Sequence, residues 1–359
     1  MEFVCILCLG DWLLNMMFSE SKLINLQENV SLANHTTFRI GGPARYFVAI
    51  KNNDELVAAV KWAKANSLLF FILGGGSNLL ISDDGFNSLV IKMQNVNFKM
   101  QNDNVKLRAR KAQWATGLYW GNHVALRNEK CKIECDTGVS LGKIILETAK
   151  NGYSGAEWGF GIPGTIGGAI CGNAGRLGQA IAQVVESVTV LDENLNIKTL
   201  SKNECEFGYR KSRFKKTKEI ILSTVLVFEK KEPAAIEAVL NEAKTIVKQA
   251  PPYPSAGCIF KNYNVKGESD ELLKNHPELK ERVREGKLGV GQLIDQCGLK
   301  GRQIGGAKIW EGHANYMVNV GGAKAQDVLA LIVLVKKSVK AKFGIELEEE
   351  VRYLGVLKS

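Results

Sequence analysis

Three glycine-rich patches hold the clearest capacity for chemistry in this chain. Residues 161–175 read Gly-Ile-Pro-Gly-Thr-Ile-Gly-Gly-Ala-Ile-Cys-Gly-Asn-Ala-Gly, six glycines and one proline among small apolar side chains. That composition builds neither a stable helix nor a regular strand. Lacking Cβ atoms, such backbone lets a flat ligand or a pyrophosphate come against exposed N–H groups, while the short apolar residues fix the loop to a core. The same composition also suits a tight turn packed between two sheets. In the second patch, Leu68–Leu73 reads as a buried strand that runs straight into Gly74-Gly75-Gly76-Ser77-Asn78, after which Leu79-Leu80-Ile81-Ser82-Asp83 reads as another strand. Consecutive glycines between two strands are not the spaced glycines that open a helix in a dinucleotide fold, and the lysine of a P-loop is missing. A strand–loop–strand arrangement can still converge several N–H groups on phosphates. Thr36-Thr37-Phe38-Arg39-Ile40-Gly41-Gly42-Pro43-Ala44 forms the third patch.

Taken in order, the patches resemble the UDP-N-acetylenolpyruvoylglucosamine reductase family. The matching blocks are His35–Gly42 (His-Thr-Thr-Phe-Arg-Ile-Gly-Gly), Gly74–Leu80 and Gly161–Ala169. Further along stand Phe207-Gly208-Tyr209-Arg210-Lys211-Ser212, Gly257-Cys258-Ile259-Phe260-Lys261-Asn262, His313-Ala314-Asn315 and Leu347-Glu348-Glu349-Glu350-Val351-Arg352. The resemblance covers roughly residues 30–355. It implies an α+β protein: a two-part FAD-binding region of the vanillyl-alcohol-oxidase/PCMH type and a smaller α+β substrate-binding C-terminal domain. It also implies FAD, held by Thr37, Arg39, Gly74, Gly75, Gly76, Ser77, Asn78, Leu79, Gly161, Ile162, Pro163, Gly164, Thr165, Gly167, Gly168 and Ala169. The implied activity is NADPH-dependent reduction of UDP-N-acetylglucosamine enolpyruvate to UDP-N-acetylmuramate in peptidoglycan precursor synthesis.

Reducing an enolpyruvyl ether requires a hydride at C3, a proton at C2, and groups that hold the charge developing on the carboxylate side. Flavin chemistry supplies the hydride. By the resemblance the remaining tasks fall to Arg210, Cys258 and Glu350, with Tyr209 and Asn262 as substrate contacts. Arg210 offers a permanently charged fork suited to a carboxylate. Glu350 closes an acidic run, Glu346, Glu348, Glu349 and Glu350, that by itself reads as a solvated face. Cys258 stands where many members of the family carry a serine. A thiol, which ordinarily titrates at about 8.5, is a far better acid than an alcohol and can release its proton without a strong activating base. Read without the resemblance, Cys258 also fits a small buried thiol beside Ile259 and Phe260.

The 359 residues exceed one typical domain, and 45% hydrophobic content suffices for a packed core. Net charge +10 favours anionic partners. Such partners include nucleic acid, a membrane surface or a phosphorylated, carboxylated small molecule; the lysines are scattered, however, and the run Lys211–Lys218 lies in no nucleic-acid module and reads as a solvated basic rim. Eight cysteines at irregular spacing in a chain this long suit free thiols in a reducing cytosol, and no metal is expected, although Cys5/Cys8 and Cys131/Cys135 are near neighbours. Residues 3–18 are apolar but lack a basic n-region, and no segment reaches transmembrane length. A cytoplasmic protein, monomeric and without a nucleic-acid partner, is expected.

The resemblance implies a division into an N-terminal extension (1–25), FAD-binding subdomains at 26–98 and 99–231, a substrate-binding domain at 232–346, and a segment at 347–359 carrying Glu350. Asn53-Asp54 opens an amphipathic helix, and strands run over 184–200 and 219–228. Helices are predicted over 233–250, 269–286, 291–297 and 323–343. Several positions depart from the family pattern. Tyr263 replaces a common proline, the serine usual before His-Ala-Asn is replaced near Trp310, and Cys135-Asp136-Thr137-Gly138 replaces an alanine–glycine turn. Residues 108–132, with Trp114, Tyr119 and Trp120, and residues 265–287 look inserted. No long loop with an isolated tyrosine lies between Phe228 and Pro251, which favours the shorter of the family's two variants. Two other readings remain open: another flavoenzyme of the same FAD-binding fold, and a basic RNA- or membrane-associated protein whose glycine loops are only turns.

Overall fold

The computed structural model describes residues 25–102, 129–267 and 269–356. The extension with Cys5 and Cys8, and most of the expected insertion with Trp114, Tyr119 and Trp120, lie outside the described residues. Residues 25–93 together with 249–356 form one compact unit, and residues 94–248 form the other.

In the first unit the chain builds a four-stranded sheet in the order Gln27–Ser31, Pro43–Ile50, Phe86–Met93, Phe70–Leu73. The first pairing is antiparallel and the other two are parallel. Parallel strands need a crossover, and the helix Asn53–Ala65 supplies it. Asn52 starts that helix by accepting from the Glu55 N–H at 2.9 Å, while the Glu55 carboxylate accepts from the Lys51 N–H at 2.7 Å. Leu56, Ala59, Val60 and Ala63 form its buried face. A second sheet, antiparallel throughout, runs Ser255–Cys258, Tyr316–Asn319, Ala307–Ile309, Gln303–Ile304. The long helix Ala325–Phe343 buries Val328, Leu331, Ile332 and Val335 in the core of this sheet. Phe38, Ile40 and Leu80, from the first two glycine patches along the chain, belong to that same core.

The long helix is capped from a distance. Asp83, just beyond the strand Leu79–Ile81, accepts from the Ala325 N–H at 2.8 Å and from the Gln326 N–H at 3.2 Å. The carboxylate satisfies donors that have no partner within the helix and lies at the positive end of its dipole. Where one helix is predicted over 269–286, the chain makes a short helix Glu271–Asn275, a 3-10 turn Pro277–Arg282 and a hairpin of Val283–Arg284 with Lys287–Leu288. Pro277 stops the first helix. Glu285 and Gly286, both at positive φ (50° and 70°), turn the hairpin.

The unit 94–248 is an antiparallel sheet in the order Ile197–Ser201, Val185–Leu191, Ile220–Lys230, Lys130–Asp136, Phe98–Asn102. Along Lys130–Asp136 burial alternates, so Cys131, Ile133 and Cys135 all face the core around Trp158 and Phe228. Desolvation, helped by Asp136 and Glu134, pushes the Cys135 thiol up to about 12. The helix Pro233–Lys248, expected to open the substrate-binding domain, groups instead with this unit. Its Leu240 packs on the same core and Val247 lies against Gly161. Among the described residues no helix is long and apolar enough to cross a membrane.

Asp83→Ala should lower the stability of the protein by about 1–2 kcal/mol through loss of the cap. Asp83→Asn should recover part of that loss, as read from urea denaturation of the three proteins.

Candidate functional site

In the first unit two glycine patches close on each other backbone to backbone. The Thr37 N–H donates to the Gly76 carbonyl at 3.1 Å. Gly76 adopts φ +63°, and a Cβ there would stand 2.1 Å from the His35 carbonyl oxygen. A Cβ on Gly42 would lie equally close, 2.1 Å, to the Asp83 carbonyl oxygen. These glycines are therefore required by the chain's own packing, whatever ligand the loops also serve. Arg39 is exposed at φ +57°, its N–H bonded to the Thr36 hydroxyl at 3.1 Å. Gly74, Gly75 and Ser77 lie half-buried in the loop, and Leu79 is buried in the strand that follows.

Two buried asparagines organise the C-terminal sheet, and one of them joins it to the patch at residues 36–44. Asn319 donates to the carbonyls of Phe38 and Arg39, 3.3 Å each, and accepts from the N–H groups of Gly321 and Ala323. Asn315 accepts from the Phe260 N–H at 2.9 Å and donates to the Phe260 carbonyl at 2.8 Å. Thr37 adds a direct bond from its hydroxyl to the Ser255 carbonyl at 2.7 Å. Both ends of the strand Ser255–Cys258 are thus fixed. Between them Gly257 takes φ +80° and the pairing with Tyr316–Asn319 is irregular, so half-buried Cys258 leaves regular pleating.

The segment carrying Glu350 lies beside that strand. Lys261 N–H donates to the Glu348 carbonyl at 2.9 Å, and Glu350 N–H donates to the Ile259 carbonyl at 2.7 Å. The Glu350 carbonyl then accepts from the Asn78 side chain at 3.1 Å, and Arg352 N–H donates to the Asn78 carbonyl at 3.1 Å. From there Arg352–Leu354 pairs in parallel with Leu79–Ile81. Glu350 is thus placed between the glycine loop and the residue after Cys258. Its neighbours in the acidic run take lysines: Glu346 pairs with Lys340 at 2.6 Å, Glu348 with Lys261, and Glu349 with Lys336. Glu349 also receives the Tyr353 hydroxyl, whose pKa is raised by burial first and by that carboxylate second. Asn262 is exposed and accepts from the Val290 N–H at 3.4 Å.

In the unit 94–248 the patch at residues 161–175 forms the short helix Ile166–Gly172, its first turn closed by Thr165 accepting from Gly168 N–H at 3.3 Å. Gly161, Gly164 and Gly167 have steric reasons to be glycine: Gly161 and Gly164 lie at φ +76° and +135°, and a Cβ on Gly167 would come within 2.7 Å of Thr137 Cβ. Gly168 and Gly172 have none, with no atom nearer than 3.6 Å and none within 4 Å respectively. Ile162 is half-buried, Pro163 exposed and Ala169 buried. The end of the helix carries Tyr209 and Arg210. Asn173, at φ +44°, donates to the Gly208 carbonyl at 2.8 Å, and fully buried Ser212 donates to the Cys171 carbonyl at 2.7 Å. Arg210 sits at φ +52° with its guanidinium 5.4 Å from the centre of the Tyr209 ring. Lys215 holds the turn by donating to the Arg210 carbonyl at 2.7 Å.

The surroundings of Gly167 and Gly168 fit a bound cofactor with polar edges. Backbone at Gly168 stays clear of neighbouring side chains, and behind Gly167 the Thr137 hydroxyl is buried without a partner, a polar group that a wholly apolar turn would not retain. Among the described residues no cluster of His, Cys, Asp and Glu could hold a metal. Sequence reasoning left out Asp83, Asn173 and Asn319. Asn173 alone had a visible signal, a polar residue inside a run of small apolar ones.

Comparison with known proteins agrees with this anatomy. A family model described as FAD binding domain matches residues 44–201, and one described as UDP-N-acetylenolpyruvoylglucosamine reductase, C-terminal domain, matches residues 249–354. The UDP-N-acetylenolpyruvoylglucosamine reductase of Caldanaerobacter subterraneus is 35% identical over 332 residues, 91% of this chain and 93% of that protein. That of Chlamydia muridarum is 36% identical over 330 residues, 92% of this chain and 95% of its own length. The crystal structure of the corresponding reductase from Thermus caldophilus superposes with a TM-score of 0.67 at 28% identity, covering 92% of this chain and all of that one. Matched along nine-tenths of its length, with both domains present in order, this chain belongs to the UDP-N-acetylenolpyruvoylglucosamine reductase family and is an FAD-dependent oxidoreductase.

Proposed function

We propose that the protein reduces UDP-N-acetylglucosamine enolpyruvate to UDP-N-acetylmuramate, a peptidoglycan precursor, with NADPH as reductant. The observation that carries this reading is the backbone ladder joining Cys258, Glu350 and the Gly74–Asn78 loop: Glu350 N–H to Ile259 carbonyl at 2.7 Å and Asn78 side chain to Glu350 carbonyl at 3.1 Å. An acidic thiol, a carboxyl group and a cofactor loop are thereby held on one rigid frame. FAD, when bound and reduced, supplies the hydride that adds to C3 of the enolpyruvyl group.

Hydride addition at C3 leaves an electron pair on C2, delocalised into the adjacent carboxylate. Arg210 bears a fixed positive charge matched to that carboxylate, so its attraction grows as the charge does. Glu350 assists as a hydrogen-bond donor, which a carboxyl group can be only when it is protonated. Cys258 completes the addition by giving its thiol proton to C2, and the thiolate left behind regains a proton from solvent before the next turnover. Tyr209, next to Arg210, and Asn262, in the segment that follows Cys258, contact the substrate.

The reading is tested by anaerobic NADPH oxidation on the FAD-loaded protein, with and without the enolpyruvyl nucleotide. Turnover should depend on that nucleotide, and NADPH oxidation that ignores it would show that the substrate is another compound. In Cys258→Ser activity should fall but persist, whereas Cys258→Ala should stop product protonation and leave flavin reduction by NADPH intact. Loss of both half-reactions in Cys258→Ala would mark the cysteine as a packing residue. Arg210→Lys should lower kcat by about 10²–10³-fold, because a point charge does not replace the fork at a developing carboxylate charge. Flavin reduction by NADPH, followed in stopped flow, should be unchanged in that variant.

A further inference from the structure

One cation in the first unit is not accounted for by packing. Lys92 pairs in register with Leu73, the residue immediately before Gly74. That position is at the carboxyl ends of the parallel strands, the side on which open sheets of this kind receive ligands. Lys92 is half-buried, and among the described residues no carboxylate compensates it. Its Nζ lies instead 3.2 Å from Nδ1 of His35. An ammonium can only donate, so Nδ1 accepts and the imidazole keeps its own proton on Nε2.

His35 is itself fixed on two sides. Its ring stacks on Phe47 with centroids 4.6 Å apart and planes 24° from parallel, and its carbonyl oxygen is the atom that a Cβ on Gly76 would strike. Lys92, His35 and the Gly74–Asn78 loop are therefore successive members of one contact chain. Burial lowers the pKa of Lys92, and burial followed by the Lys92 charge lowers that of His35. A half-desolvated ammonium whose partner is a neutral imidazole is an unfavourable arrangement by itself. An anion arriving at the loop would relieve it.

We propose that Lys92, aimed by His35, binds the diphosphate of FAD at the Gly74–Asn78 loop. Backbone N–H groups of a glycine loop orient phosphate oxygens but carry only partial charge, and a lysine adds the full charge that a P-loop obtains from its own lysine. Here that lysine comes from the neighbouring strand rather than from the loop. The inference rests on the chain binding FAD, and its test needs neither substrate nor turnover.

Apoprotein is titrated with FAD, following flavin fluorescence, for the wild type, Lys92→Met and Lys92→Arg. Lys92→Met should weaken FAD binding about 10- to 100-fold, the loss expected for one charge-assisted hydrogen bond. It should keep the melting temperature of the apoprotein and show a shallower dependence of Kd on KCl. Lys92→Arg should restore most of the affinity. A Kd for Lys92→Met within threefold of the wild type overturns the proposal. Should Lys92→Met fail to fold, acetylation of Lys92 in the wild-type apoprotein is followed by peptide mass spectrometry with and without ADP, which carries the diphosphate without the flavin. Protection by ADP and FAD alike is expected, and protection by neither overturns the assignment. Failure of the wild type to bind FAD at all would instead count against the cofactor reading itself.

Discussion

The arrangement of Cys258, Glu350 and the Gly74–Asn78 loop depends on one run of backbone, residues 348–354, threaded between two others. On one side it bonds to the residues that follow Cys258, and on the other to Asn78 and the strand Leu79–Ile81. The N–H of Glu350 goes to Ile259 and its carbonyl takes the Asn78 amide, so the residue has little freedom to shift without breaking bonds on both sides. Positioning of this kind is independent of the acidic side chain. The lysine pairs of Glu346 and Glu348 are more exposed and contribute modestly by comparison.

Buried asparagine is the second device. Asn319 bridges backbone groups on two separate stretches of chain, Asn315 pairs with both backbone groups of Phe260, and both are almost completely buried. An amide side chain carries a donor and an acceptor at opposite corners and so can satisfy a carbonyl and an N–H at once. A leucine of the same size would leave those groups desolvated and unpaired. The same logic recurs in the unit 94–248, where Asn173 accepts from Ala182 N–H at 3.2 Å while donating to Gly208, holding the turn that bears Arg210.

Much of this was legible in the residues. The strand–glycine–strand reading of 68–83, the helix opened at Asn53-Asp54, one residue after its actual cap Asn52, and the paired strands around Asp192–Asn196 all rest on local chemistry, and local chemistry decided them. The family resemblance added the cofactor and nominated Arg210, Cys258 and Glu350. Other features came from contacts between distant residues, which no local pattern encodes. Asp83 looks like an ordinary turn aspartate until Ala325 is beside it, and Pro233–Lys248 has the same amphipathic pattern whichever unit it covers. The predicted helix over 269–286 failed for a local reason that was visible, namely Pro277 and the Glu285-Gly286 pair. The glycines at 42 and 76 answer to the packing reading, since chain lies against chain there.

The pairing of Leu79–Ile81 with Arg352–Leu354 has a kinetic consequence. The bond from Asn78 to Glu350 spans 272 residues of sequence, and the whole of the unit 94–248 lies inside that loop. Contacts of such long range form late, because closing the loop costs entropy that local contacts do not. During synthesis, all of residues 94–248 are made before residue 350 exists, so their sheet and core are free to form first. The Gly74–Asn78 loop, made early, waits for its partner strand until nearly all of the matched chain has been made. The loop that the family resemblance assigns to the cofactor is therefore among the last parts of the fold to gain its full set of hydrogen bonds, so the apoprotein passes through an interval in which one half can be finished and the other cannot yet be.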